Sequence, residues 1–156
     1  MNSATSSRNG DRVRRSTAPE VQARIDEVDA RTVRLYADQP VEAIDRRLND
    51  LNHEWDIERI LETNAASLAL LGVLAALTGR RRGLLLSAVV LGFLLQHAVR
   101  GWCPPVPLLR RRGVRTQREI ERERYALKVL RGDFDDVFQS PGNRPDVNNA
   151  LRAVDL

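Results

Sequence analysis

Two uncharged stretches of equal length, split by three consecutive arginines, limit what this chain can fold into. Thr63 to Gly79 is 17 residues without a charge, with the centre AASLALLGVLAAL, and Gly83 to Val99 is another 17, with the centre LLLSAVVLGFLLQ. Neither has the polar face that a surface helix of a water-soluble domain needs. At about 1.5 Å per residue each uncharged run covers roughly 25 Å, against a hydrocarbon core of about 30 Å. Local thinning of the bilayer and arginines reaching outward to headgroups make up the difference. The competing arrangement is a soluble helical bundle with a buried apolar hairpin, which requires the rest of the chain to wrap both helices. The other segments offer only narrow apolar stripes, so a transmembrane helical hairpin over 63–99 is expected. A re-entrant loop would hold Arg80, Arg81 and Arg82 in hydrocarbon at several kcal/mol each. The tip is therefore expected to emerge on the far side and meet headgroups there.

Whole-chain averages conceal this division. A mean hydropathy of −0.38, a net charge of +4 and a pI near 10.1 describe a basic, soluble-looking chain. Aromatic residues are only 4%, few anchors for a water-soluble core of 156 residues. The single cysteine, Cys103, excludes an internal disulfide framework and a four-thiolate zinc site within one chain.

The flanks read as helices. Residues 1–17 are small, polar and basic, and are expected to be a disordered tail. The Arg14-Arg15 pair is followed by no apolar segment, so no cleavable signal is expected. Thr17-Ala-Pro-Glu20 has capping-box spacing, and Val21, Ile25, Val28, Thr32 and Leu35 then form one helical stripe ending near Ala37. After Asp38-Gln39-Pro40, a second stripe runs through Val41, Ile44, Leu48, Leu51 and Trp55. Residues 18–62 are thus expected to be a soluble amphipathic helical hairpin, with a short coiled-coil seam as the sharper alternative. Residues 100–132 make an exit segment and an amphipathic helix, QREIERERYALKVLRG, with a thin stripe of Ile120, Leu127 and Leu130. Its mixed charges suggest a solvated face or one lying on headgroups. In the partly ordered tail, 133–156, Val147, Leu151 and Val154 suggest a short helix docking on the N-terminal pair. The fold class expected is all-α.

Within the apolar hairpin, Ala65, Ala69, Gly72, Ala76 and Gly79 share one helical stripe, and Ala88 and Gly92 share one on the second helix. Small residues let backbones approach in lipid, which favours a tight hairpin or a homodimer. Folding the chain about Arg81 brings Glu62 level with Arg100, and Asn64 near Gln96 and His97. A polar cluster of Glu62, Asn64, Gln96, His97 and Arg100 is expected at one membrane boundary, with Glu62 and Arg100 neutralising each other. Proton transfer through His97 and Glu62 is the functional alternative. Nine arginines flank the outer ends against three in the loop, favouring both termini in the cytoplasm. Trp102 falls where an indole sits at a headgroup boundary. Cys103-Pro-Pro-Val-Pro107 cannot continue a helix, and an extended exit is expected there. Arg110, Arg111 and Arg112 then meet anionic headgroups.

The run WDIERILE, the two apolar helices, GWCPPVPLLRRRGVRTQREI and ERYALKVLRGDF together resemble the YgaP-like transmembrane domain, over about Trp55 to Phe134. That resemblance implies a small bacterial inner-membrane domain, a two-helix hairpin able to dimerise, without an assigned function. In the namesake the domain is joined to a rhodanese, which moves sulfur through a cysteine persulfide. Here PPVPLLR follows Cys103 in place of a Cys-x4-Arg loop, and residues 1–54 show no strand–helix alternation, so sulfurtransferase activity is not carried over.

The function expected is structural or interactive, in an inner-membrane protein whose partners are the lipid bilayer, a second copy and an unidentified protein. The alternative is thiol or sulfur chemistry at Cys103, with Arg100 and Arg110 lowering the thiol pKa. Nucleic-acid binding is not expected, because acids alternate with the arginines and aromatic interleaving is lacking. With no Gly-rich phosphate loop, and no ligand-like partner beside His53 or His97, no catalytic residue, cofactor or metal is assigned.

Overall fold

The structure, a computed structural model, describes residues 12–138 and 147–154, and among them it is all α-helical. The helices are α1 (Arg12–Ser16), α2 (Pro19–Ala37), α3 (Val41–His53), α4 (Ile57–Leu77), α5 (Arg82–Arg100), α6 (Val106–Arg111), α7 (Gln117–Arg131) and α8 (Val147–Val154). A single 3₁₀ turn, Asp135–Phe138, follows α7. The chain forms two compact units: Met1–Asp26 with Trp55–Arg118, and Glu27–Glu54 with Glu119–Leu156. The boundaries fall inside α2, between α3 and α4, and near the start of α7.

In the first unit the apolar hairpin forms as α4 and α5; α4 starts ahead of its uncharged stretch and stops short of the end of it, and α5 extends one residue past its own at each end. Asp56 starts α4 by accepting a hydrogen bond from the Arg59 amide at 2.6 Å, so Ile57 rather than Thr63 is the first helical residue. The Trp55 side chain is exposed, with the Arg59 guanidinium stacked 4.5 Å from its ring, instead of completing a core stripe. The helices have 21 and 19 residues, which at 1.5 Å each is about 31 and 28 Å. The added residues include Glu58, Arg59 and Glu62 on α4 and Arg82 and Arg100 on α5, so the charge-free span of each helix stays at roughly 25 Å or less. Gly79, at φ 90°, makes the turn, and Arg80, Arg81 and Arg82 are all exposed on it.

The two helices approach closely at Gly72 and Gly83, both buried. A Cβ on Gly72 would lie 2.6 Å from the Gly83 carbonyl oxygen, and one on Gly83 would collide with the Gly72 carbonyl oxygen. Beside them the Ser87 hydroxyl donates to the Ala69 carbonyl across the hairpin at 2.8 Å. The expected stripe of α4 holds, with Ala65, Ala69 and Ala76 partly buried beside Gly72 and only Gly79 exposed beyond the helix. The expected stripe of α5 does not. Ala88 and Gly92 are exposed, and the face turned to α4 carries Gly83, Ser87 and His97. A serine can sit there because its hydroxyl finds a carbonyl on the facing helix.

The outer ends of the hairpin rest on a small core of Val13, Ile57, Leu61, Cys103 and Val106, edged by Leu109 and Val114. The expected disordered tail lies outside the described residues over 1–11, and over 12–16 it is corrected to a helix. The one apolar residue of that stretch, Val13, is buried in this core, and Arg14 pairs with Asp26. Thr17 does not act as an N-cap; its hydroxyl donates to the Val13 carbonyl at 2.8 Å. The exit at Cys103–Pro107 turns at Pro104 and Pro105 and enters α6 rather than staying extended. Proline is compatible with a first helical turn, where no amide donor is needed.

In the second unit Ile44, Leu48 and Leu51 of α3 share a core with Ile120 and Leu127 of α7, with Tyr36 at its edge. The partner that covers the stripe of α3 is therefore α7, with Ile120 lying 69 residues beyond Leu51, and the two compact units divide the 18–62 stretch between them. On α2, Ile25 is buried as expected, but Val28 and Leu35 are exposed and Asp29 is buried. The charges on α7 are not all solvated: Glu119, Glu123, Arg124 and Lys128 are buried. Glu123 takes a bidentate pair from Arg47 at 2.8 and 3.0 Å. Arg124 donates to the Leu51 carbonyl and to Asn52. Paired in this way, the buried Glu123 is tolerated where an unpaired carboxylate would not be. Gly132, at φ 90°, ends α7 as its position implies.

The tail helix forms, but its orientation is the reverse of that expected. Val147, Leu151 and Val154 are exposed while Ala153 is buried. The Ala153 carbonyl accepts a hydrogen bond from Lys128 Nζ at 3.1 Å, which ties α8 to α7.

Candidate functional site

The outer end of the hairpin carries an open pocket of about 630 Å³, lined by polar groups from α1, α4, α5 and the start of α7. The order of elements explains the gathering. Gly101, in the left-handed region at φ 73°, ends α5 by bonding its amide to the His97 carbonyl at 2.7 Å. A Cβ at Gly101 would overlap the backbone of Arg12, so α1 lies directly against the exit of α5. The Ile57 amide donates to the Arg115 carbonyl at 2.9 Å, which fixes the start of α4 beside the approach to α7. Glu58 and Glu62, one turn apart on α4, thereby face the same space as His97, Arg12 and Arg118.

The expected boundary cluster is only partly assembled. Glu62 and His97 line this pocket, whereas Asn64 and His97 line a separate apolar hollow of about 250 Å³ beside Cys103 and Pro104. Asn64 Nδ2 donates to the Ile60 carbonyl, and Gln96 is half-buried. Arg100 is exposed, and no ion pair joins it to Glu62 among the described residues. The pairing of Glu62 with Arg100 is therefore corrected. Arg100 is not among the residues lining the pocket, and the cations that share it with Glu62 and His97 are Arg12 and Arg118. The sequence carried no sign of this, because Arg12 lay in a stretch too polar to suggest order. The His97 ring is only 8% exposed, and its Nδ1 has no hydrogen-bond partner among the described residues.

The expected headgroup contacts divide. Arg80, Arg81, Arg82, Arg111 and Arg112 are exposed, as is Trp102. Arg110 is 1% exposed and is removed from that set. Its guanidinium donates to Val114 carbonyl and Gln22 Oε1 at 2.8 Å and to Thr17 Oγ1 at 3.1 Å. A guanidinium has five donors in a fixed fork, which suits it to join three segments in this way.

Cys103 is buried among Val13, Ile57, Leu61 and Val106. That burial pushes the thiol pKa up, and a hydrogen bond involving the Val106 backbone only partly opposes it. Neither Arg100 nor Arg110 lowers it, which removes the electrostatic basis for a reactive thiolate. The sign follows: the neutral thiol stabilises the fold below the usual thiol pKa, and that contribution is lost as pH rises through the raised value. Alkylation of the full chain at pH 8.5 should be roughly tenfold or more slower than in the urea-unfolded chain. Equal rates with a thiol probe across pH would show an accessible, ordinary thiol.

Comparison with protein-family models, with curated proteins and with solved structures finds no match to this chain.

Proposed function

We propose that the chain is a small integral membrane protein in which α4 and α5 cross a bilayer as a hairpin, and that its role is structural or interactive rather than catalytic. The observation that carries this reading is the exposure of large apolar side chains along both helices. Leu70 is 59% exposed, Leu77 78%, Leu85 68% and Leu95 66%, and Leu68, Leu71, Leu74, Leu84, Val89 and Leu91 are exposed as well. In water so large an apolar surface is an aggregation hazard, whereas in lipid it is the surface required. Both helices are long and apolar enough to cross. The exposed arginines of the tip, together with Trp102, Arg111 and Arg112 at the other end, suit headgroup contact.

The bacterial inner membrane with cytoplasmic termini is the location proposed, in keeping with the arginine distribution and with the resemblance to the YgaP-like transmembrane domain. A homodimer is the assembly proposed: Ala88 and Gly92, left exposed on α5, offer a second copy a face for close approach. Carbonate extraction of membranes from expressing cells should leave the full chain in the pellet. Its release to the supernatant, monodisperse without detergent, would refute insertion.

A further inference from the structure

We infer that the pocket at the outer end of the hairpin binds a phosphate joined to a primary ammonium, as presented by the headgroup of a phosphatidylethanolamine lipid. The inference rests on the membrane reading above for the source of the ligand, and on the pocket itself for its chemistry. The pocket holds about 630 Å³, enough for a headgroup. Three of its charged side chains, Arg12, Arg118 and Glu62, make no hydrogen bond or ion pair among the described residues. Unspent charges of both signs around one space suit a ligand that carries both signs. Two guanidiniums match a phosphodiester, through charge-assisted hydrogen bonds. The Glu62 carboxylate matches an ammonium that still has N–H donors.

The ring of His97 lines the same pocket, with its Nδ1 enclosed and without a partner among the described residues. The other ring nitrogen, Nε2, can serve as acceptor to the ammonium or donor to the phosphate, the ligand setting the tautomer. Leu94 and Ala98 form the apolar side of the same pocket, and exposed Leu95 and Val99 continue along α5. Acyl chains attached to the headgroup therefore have adjoining apolar surface. A choline headgroup has the same charges but no N–H for Glu62, and a glycerol headgroup has no cation at all. Discrimination among the three follows from the residues present.

The test is a titration of the isotope-labelled full chain in mild detergent, with the His97 ring resonances as readout. The probes are short-chain phosphatidylethanolamine, phosphatidylcholine and phosphatidylglycerol, and soluble phosphoethanolamine. The ethanolamine lipid should bind saturably and about tenfold tighter than the choline lipid. Glu62→Gln should abolish that preference, and Arg12→Gln with Arg118→Gln should weaken all three lipids. All three side chains are exposed, so the variants keep their helical content, which circular dichroism checks. Equal affinity for ethanolamine and choline lipids, or His97 resonances that do not move, would overturn the proposal. Soluble phosphoethanolamine binding as tightly as the lipid would overturn the lipid source. An intact preference in a chain that carbonate releases would uphold the pocket and refute membrane insertion.

Discussion

Gly83→Leu should part the two apolar helices, while Gly92→Leu, nine residues along the same helix, should leave them together. At Gly83 any side chain collides with the backbone carbonyl of Gly72, and Ala76 N lies 3.0 Å from the added Cβ. Backbone cannot rotate away as a flexible side chain can, so relief requires moving a whole helix. At Gly92 the added Cβ meets nothing within 4 Å. Overpacking costs about 1–3 kcal/mol where neighbours can adjust, and a backbone clash belongs at or above the top of that range. In mild detergent, with the chain dilute enough to stay monomeric, a loss of about 3 kcal/mol is expected for Gly83→Leu, against about 0.5 kcal/mol or less for Gly92→Leu. Thermal melts of the two variants give the comparison. A Gly83→Leu chain that melts with the wild type would show that the helices do not approach at that point. Gly72→Leu should behave like Gly83→Leu, since its Cβ would meet the Ser87 hydroxyl and the Gly83 carbonyl.

That contrast also shows how far sequence reasoning reached. The apolar hairpin, its arginine tip, the ends of α2 and α7 and the start of α3 were legible, because charge, hydropathy period, proline and glycine act locally; the break between α3 and α4 at 54–56 was not. Which face of α5 meets α4 was not. Ala88 and Gly92 have the right size, but the helix presents Gly83 and Ser87, and a serine is recognisable as an interface residue only once Ala69 is opposite it. Arg110 looked identical to Arg111 and Arg112 until tertiary structure placed Thr17, Gln22 and Val114 around it. The same holds for α7, whose charged residues signalled solvent and instead include a buried Glu123 paired with Arg47. The stripe of α8 failed for a related reason. One hydrogen bond from Lys128 and the burial of Ala153 set its orientation, and the larger apolar residues were left outside.

The candidate site was half visible. Glu62 and His97 were expected together from the register of a hairpin about Arg81, and they do line one pocket. Arg12 and Arg118 come from segments remote in sequence, brought in by the positive φ of Gly101 and by the Ile57–Arg115 hydrogen bond. No periodicity reports contacts of that kind.

The claim on which most depends is that lipid, not water or protein, surrounds the exposed residues of α4 and α5. Spin labels at Leu70→Cys and Leu91→Cys, each in a Cys103→Ala chain reconstituted into liposomes, measure this directly. Both positions are exposed and near the middle of their helices. Transfer of a polar solute into hydrocarbon costs several kcal/mol, so collisions with a water-soluble nickel chelate should fall by an order of magnitude or more relative to a label at Arg112→Cys. Collisions with oxygen should rise at the same two positions. Nickel accessibility at Leu70 and Leu91 as high as at Arg112 would contradict the account.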